Sequence, residues 1–196
     1  MGAETTVWGM MVGNWISLFG IVVGAAAFLS GRRQYVMAQK WKRAEHVAAE
    51  TKAFFDHVDV VNTFYMLDWN SRQFTLPDGS VTQIDDDIIT RALRYHTVDG
   101  SFTPTEEFIR LTFDSFLGAL ERFECFIEVG LISSHDVRPY LKYWINVIGN
   151  KRSGRKDEAF YDAFWGYIDA YGYTGAQSFL KRFGHDITPA QTPAAP

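Results

Sequence analysis

The sequence contains one cysteine, Cys125, so no disulfide can form within the chain. That absence is typical of a protein in a reducing compartment. Because Cys125 lies in an aromatic stretch, we expect it to be a small core residue. The formal net charge of −4 argues against a nucleic-acid-binding protein that uses a broad basic surface.

Motifs of the common enzyme classes are also absent. We find no phosphate-binding glycine loop, no nucleophile elbow, no zinc-ligand spacing and no paired catalytic carboxylates. Asp85, Asp86 and Asp87 stand together, but no His or Glu cluster nearby in the sequence completes a metal site. We therefore expect no cofactor and no metal, and the pattern disfavours a metabolic enzyme.

Charge is missing from one long segment near the start of the chain. No charged side chain lies between Thr5 and Gly31, which is long enough to cross a bilayer as a helix. A secretory signal begins with a basic region, whereas the only charge before this segment is Glu4. We predict an uncleaved single-pass anchor, although the small residues of "GAAAFLS" leave a cleaved signal as the alternative.

Basic residues follow this segment directly. They predict, by the positive-inside rule, an N-terminus outside the membrane and a C-terminal part in the cytoplasm. The same residues are expected to contact anionic lipid at the membrane surface. They are Arg32, Arg33, Lys40, Lys42 and Arg43.

Small residues recur along the charge-free segment at steps of three or four. Such a stripe lies on one helix face and lets identical helices approach closely in lipid. It therefore predicts a homo-oligomer, although small residues are common in membrane helices for other reasons. Its members are Gly9, Gly13, Ser17, Gly20, Gly24, Ala27 and Gly31.

No proline or glycine interrupts residues 32–70, and apolar residues continue at a near-heptad spacing. We predict one long helix that leaves the membrane and becomes the first helix of a soluble bundle. The predicted inward-facing residues are Met37, Trp41, Ala44, Ala48, Thr51, Phe55, Val58, Tyr65 and Trp69.

The remaining chain alternates turn signals with helical patterns. Pro77-Asp78-Gly79-Ser80 predicts a small β-hairpin, and the three aspartates after it favour the start of a helix. Thr103-Pro104-Thr105-Glu106 predicts a capping box, and further helices are expected from Ser133 or Ser134, Asp157 and Gly175. The core stripe of the capped helix is predicted to be Ile109, Phe113, Phe116, Leu120, Phe123 and Ile127.

These patterns predict an all-α protein: an N-terminal transmembrane helix that continues into a cytoplasmic helical bundle, with one small β-hairpin. The expected boundaries are residues 1–31 for the anchor, 32–184 for the bundle and 185–196 for a disordered tail rich in Pro, Ala and Thr.

Two groups of residues could carry chemistry. Arg91 and His96 form the RxxxxH arrangement of HEPN ribonucleases, in which histidine handles the 2′-hydroxyl proton and arginine holds the phosphate. The alternative is that Arg91 or Arg94 pairs with the acidic turn at residues 85–87 and that His96 ends a helix. The loop containing Lys151, Arg152, Arg155 and Lys156 could contact a phosphate, an anionic lipid headgroup or RNA, or be a solvated connection.

The run Leu120-Glu121-Arg122-Phe123-Glu124, followed by Gly130-Leu131-Ile132 and then by Arg138, Tyr140 and Trp144, resembles a family of small bacterial single-pass membrane proteins. That family is catalogued only as a domain of unknown function. The resemblance covers residues 105–149 best, and it implies a membrane anchor but no activity.

The N-terminal membrane helix, the helical bundle and the RxxxxH pattern together are similar to the accessory membrane protein of type VI-B CRISPR systems. That resemblance implies an oligomeric membrane pore that strengthens defence against phage, with RNA or an RNA-guided effector as a partner. The acidic net charge departs from that of a conventional HEPN nuclease. This departure weakens the case for RNA cleavage more than it weakens the case for a pore. We therefore expect a membrane-perturbing homo-oligomer, with a membrane-tethered ribonuclease or a partner-recruiting scaffold as alternatives. No small-molecule substrate is evident.

Overall fold

The computed structural model describes residues 4–95 and 101–187, with side chains from Phe19 onward. It divides into two units, Met1–His46 and Val47–Pro196. The described elements are the helices α1 (Glu4–Asp56), α2 (Val58–Asp68), α3 (Asp86–Ala92), α4 (Pro104–Glu128), α5 (Ser134–Gly149), α6 (Glu158–Ala170) and α7 (Thr174–Arg182), the strands β1 (Ser71–Thr75) and β2 (Val81–Asp85), and a 3₁₀ turn at Lys151–Ser153. This confirms the predicted all-α class with one small hairpin.

The N-terminal unit consists of α1 up to His46. Every residue from Phe19 to Glu45 is exposed, including the aromatic side chains of Phe28 and Trp41. No helix among the described residues is long and apolar enough to cross a membrane.

α1 and α2 are separate helices, so the prediction of one uninterrupted helix through residues 32–70 is wrong. His57 lies between them in an extended conformation, with φ −72° and ψ 122°. Because the helix is interrupted at His57, the residues of α2 that face the core are not those that a continuous helix would place there. The core therefore receives Val60, Phe64 and Leu67, whereas the predicted inward residues Val58 and Trp69 are exposed.

The second unit, Val47–Pro196, is called the compact unit below. Its core is rich in aromatic side chains and is centred on α4, which packs against α2, α3 and α7. The predicted stripe of α4 is confirmed, since its members from Ile109 to Phe123 are at most 2% exposed and Ile127 is half-buried. Phe54, at the end of α1, contacts the rings of Phe116 and Phe123 edge-on or tilted. Cys125 is exposed on α4, so the prediction that it is a core residue is wrong.

The hairpin forms where the turn signal predicts it. β1 and β2 are antiparallel, with Phe74 opposite Thr82, and Phe74 and Ile84 are buried. Asp78 accepts hydrogen bonds from the backbone and hydroxyl of Ser80, and Gly79 has φ +84°, which an L side chain rarely adopts. The tight turn therefore follows from the sequence itself.

Side-chain caps begin three of the helices as predicted. Asp85 accepts from the backbone of Ile88, Thr103 and Glu106 form a reciprocal capping box, and Asp157 accepts from the backbone of Phe160. At the other end of the chain, Ile187 is buried, so the packed part extends beyond the predicted boundary at residue 184. Residues 188–196 of the predicted tail lie outside the described residues.

Candidate functional site

The apolar segment of α1 is a continuous exposed hydrophobic feature of the described residues. From Phe19 to Leu29 the helix has no polar side chain, and Phe19, Ile21 and Phe28 are about 70% exposed. These residues occupy all sides of the helix, since they cover three successive turns. A helix that is apolar all round requires a cover of lipid or protein.

The small-residue stripe lies partly in this segment. Gly20, Gly24, Ala27 and Gly31 are exposed, and a Cβ built at each of the three glycines meets no atom within 4 Å. The described part of the stripe is therefore an open groove along the helix backbone. Gly9, Gly13 and Ser17 are within α1, but their side-chain environment lies outside the described residues.

The predicted membrane-surface cations follow the apolar segment on the same helix. Arg32, Arg33, Lys40, Lys42 and Arg43 are all exposed. Their exposure is what contact with an anionic surface requires.

Arg91 and Arg94 meet at Glu106, a carboxylate whose side chain is only 3% exposed. Arg91 Nε lies 2.9 Å from Glu106 Oε1, and Arg94 Nη1 lies 2.7 Å from the same oxygen. Burial by itself raises the pKa of Glu106. Hydrogen bonds from the Thr103 backbone, Arg94, Arg91 and the Thr103 hydroxyl outweigh that effect and lower its pKa to about 2.

Arg110 completes this cluster from the next turn of α4. Its guanidinium donates to the carbonyls of Ala92 and Arg94 at the end of α3, at 2.9 and 3.0 Å. It also lies over the rings of Phe102 and Tyr167, at 4.1 and 4.8 Å from their centroids. The three arginines therefore fasten α3 to α4.

For Arg91 this geometry matches the alternative in which the arginine pairs with an acidic group. The paired carboxylate is Glu106, however, and not the acidic turn before α3. His96 lies outside the described residues, so catalysis by Arg91 and His96 stays a prediction. Sequence reasoning identified Glu106 as a cap but missed its pairing with arginine, because that contact depends on how α3 and α4 pack.

The basic loop after α5 is largely paired within the chain. Lys151 contacts Asp162, and Arg155 Nη2 lies 3.0 Å from Asp68 Oδ1. Arg152 is exposed, and its side chain has no hydrogen bond or ion pair to the described residues, so it alone of the four matches the solvated interpretation closely.

Lys156 is the exception in this loop, because its side chain is completely buried. Its ammonium donates to Asp86 Oδ1 and to the carbonyl of Trp69, at 2.9 Å for the carbonyl. Burial lowers the pKa of Lys156, and the Asp86 carboxylate opposes that shift. Lys156 is therefore not accessible to a phosphate or a lipid headgroup, which corrects the prediction for this residue.

No group of three or more His, Cys, Asp or Glu side chains within residues 4–95 and 101–187 could hold a metal ion. No family model matches the chain, and no curated protein and no solved structure is similar to it. The function must therefore be inferred from the chain's own surfaces.

Proposed function

We propose that this protein is a membrane-anchored homo-oligomer whose associated α1 helices perturb or permeate the bilayer. The observation that carries the proposal is the exposed apolar surface of residues 19–29, which covers every side of the helix. A helix that is apolar on every side is buried in a protein core or in a lipid bilayer, and we infer the bilayer here. The charge-free sequence from Thr5 to Gly31 spans about 40 Å as a helix, compared with about 30 Å for the hydrocarbon core.

The distribution of charge supports one orientation. The cluster from Arg32 to Arg43 directly follows the charge-free sequence, and its side chains are exposed. Each cation near an anionic leaflet contributes on the order of 1 kcal/mol. The positive-inside rule then places the compact unit in the cytoplasm and the N-terminus outside the inner membrane.

The groove over Gly20, Gly24 and Gly31 supports self-association. Apolar side chains gain little from leaving lipid for another helix, so close backbone packing over small residues is what favours contact. A Cβ placed on any of these glycines would meet no atom within 4 Å, and a partner helix would fill that open space. Defence against phage is the context that the resemblance implies.

The ribonuclease alternative is weaker. The Nε atom of Arg91 is committed to a buried carboxylate, and the compact unit holds fourteen Lys and Arg against twenty-one Asp and Glu. RNA binding without sequence readout depends on a basic groove.

The test compares two variants with matched changes in the same helix. Gly20→Ile with Gly24→Ile fills the groove, whereas Ala25→Ile with Ala26→Ile adds similar bulk on other faces. Chemical crosslinking in native membranes measures the oligomer, and dye release from vesicles containing anionic lipid measures permeation. We expect the wild type and the alanine pair to assemble and release dye, and the glycine pair to insert as a monomer without release.

A wild-type protein that is strictly monomeric in membranes would contradict the proposal, as would equal loss in the two variants. If carbonate extracted the protein from membranes, the proposal that α1 is a membrane anchor would be rejected.

A further inference from the structure

The elbow between α1 and α2 forms one wall of a cleft in the compact unit. α1 ends at Asp56 and α2 begins at Val58, and the middle of α4 lies opposite. The cleft has a volume of about 230 Å³, below the usual range for drug-sized ligands. It therefore has room for a small molecule only.

The side chains that line this cleft are basic or uncharged. His57 and Arg122 line its walls together with Ser115. Ala53 and Ala119 form its accessible apolar floor, since Phe54 and Val60, which also line it, are each only 1% exposed. None of the described residues that line it is acidic. This contrasts with the compact unit as a whole, whose fourteen basic and twenty-one acidic residues give a formal charge of −7.

Two carboxylates behind the lining residues hold the basic groups in place. Glu50 Oε2 lies 3.5 Å from Arg122 Nε. Asp59 Oδ2 accepts a hydrogen bond from Ser115 Oγ at 2.9 Å and lies 3.9 Å from His57 Nδ1. A carboxylate that pairs with one nitrogen of a basic side chain restricts the orientation of that side chain, as carboxylates do for metal-ligating histidines.

Both basic groups retain hydrogen-bonding capacity. The side chain of His57 makes no capping hydrogen bond to α2, and Arg122 has no hydrogen-bond acceptor among the described residues beyond its ion pair. The side chains of His57 and Arg122 are about half exposed, so a molecule in the cleft can reach them. An arginine fork matches the geometry of a carboxylate.

Gly118 keeps the cleft open on the α4 side. It is an exposed mid-helix glycine, and a Cβ built there meets no atom within 4 Å. Any larger side chain at this position would occupy the cleft without displacing its neighbours.

We propose that this cleft binds a small organic carboxylate, with the carboxylate group at Arg122 and His57 and the apolar part against Ala53 and Ala119. The apolar floor distinguishes this ligand from inorganic phosphate, and the small volume excludes large cofactors. The inference is independent of membrane association, because every residue involved lies in the compact unit.

The experiment uses the full chain in detergent micelles, titrated with benzoate, benzamide and inorganic phosphate and followed by amide chemical shifts in NMR. We expect benzoate to shift resonances of residues 53–60 and 115–122 saturably at concentrations up to about 10 mM. Benzamide has the same shape without the charge, and it should bind at least about tenfold more weakly. Phosphate should also bind more weakly than benzoate, because it gains nothing from the apolar floor.

Two substitutions separate the site from the fold. Arg122→Met should lower benzoate affinity at least about tenfold, whereas Arg152→Met, an exposed arginine elsewhere, should not. Gly118→Leu should abolish binding by filling the cleft, whereas Gly166→Leu on α6, where a Cβ also meets no atom within 4 Å, should leave it unchanged. Circular dichroism would verify that each variant is folded.

Absence of saturable benzoate binding by the folded wild type would overturn the proposal. Equal affinity for benzamide, or unchanged affinity in folded Gly118→Leu, would do so as well. Phosphate binding as tight as benzoate would reject an organic carboxylate as the ligand.

Discussion

The two units of this chain treat apolar side chains in opposite ways. In the compact unit, rings such as Phe113 and Phe116 are completely buried, whereas in the N-terminal unit Phe19 and Phe28 are 71% exposed. Charge differs as well, because five basic and two acidic residues give the N-terminal unit +3, against −7 for the compact unit. One unit is stabilised by its own core, and the other presents surfaces that only its surroundings can cover.

The contrast is tested most strongly by truncating one phenylalanine in each unit. Phe116→Ala should lower the free energy of unfolding of the compact unit by about 4 kcal/mol, because it leaves a cavity in a packed core. Phe28→Ala should change it by less than about 0.5 kcal/mol, because the side chain of Phe28 is 71% exposed. Urea unfolding in detergent, followed by tryptophan fluorescence, measures both. If both variants lost a similar amount of unfolding free energy, the contrast between a buried and an exposed phenylalanine would be contradicted.

A second test compares a buried carboxylate of the compact unit, Glu106, with an exposed carboxylate of the N-terminal unit, Glu45. The pKa of Glu106 falls from 4.5 to about 2 on folding, so its ionised form stabilises the folded state by about 3 kcal/mol at neutral pH. Because the folded pKa is the lower one, that stability is complete above about pH 4.5 and is lost as the pH falls towards 2.

Glu106→Gln should therefore have a lower free energy of unfolding at pH 7. That free energy should also fall less than the wild type's as the pH drops towards 2. The matched variant in the N-terminal unit is Glu45→Gln, whose side chain is exposed. Free energies of unfolding measured between pH 2 and 7 test this prediction. If Glu106→Gln lost as much stability as the wild type between pH 4.5 and 2, the lowered pKa of Glu106 would be contradicted.

Lysine offers the third and smallest contrast. Lys156→Met should cost about 2 kcal/mol, because Asp86 and the carbonyl of Trp69 lose their buried donor. Lys40→Met, at an exposed position of α1, should leave the stability of the compact unit within about 0.5 kcal/mol of the wild type. Thermal unfolding measures the difference. An unchanged melting temperature for Lys156→Met would show that the buried lysine is dispensable.

Local signals in the sequence predicted local structure well. The turn around Gly79 and the capping box of Thr103 and Glu106 each depend on residues within four positions of one another, so the sequence contains the whole interaction. The aromatic stripe of α4 was equally readable, because helical periodicity alone places its residues on one face.

Features that depend on packing could not be read in the same way. His57 breaks the first helix without proline or glycine, and the phase shift that follows exposes Val58 and Trp69. Lys156 resembles its basic neighbours in sequence, but its burial depends on Trp69 and Asp86, which are 70 or more positions away. The cleft at the elbow was missed for the same reason, since Arg122 and His57 line one cleft only in the folded unit.

The ammonium of Lys156 clamps both ends of the hairpin, since it holds the carbonyl just before β1 and the carboxylate just after β2. A segment fastened at its base is insensitive to what is added at its far end. Extending a closed loop costs little, about 0.6 kcal/mol for each doubling of its length. The tip at Asp78 and Gly79 is therefore where a peptide epitope or a fluorescent label can be grafted without disturbing the aromatic interior.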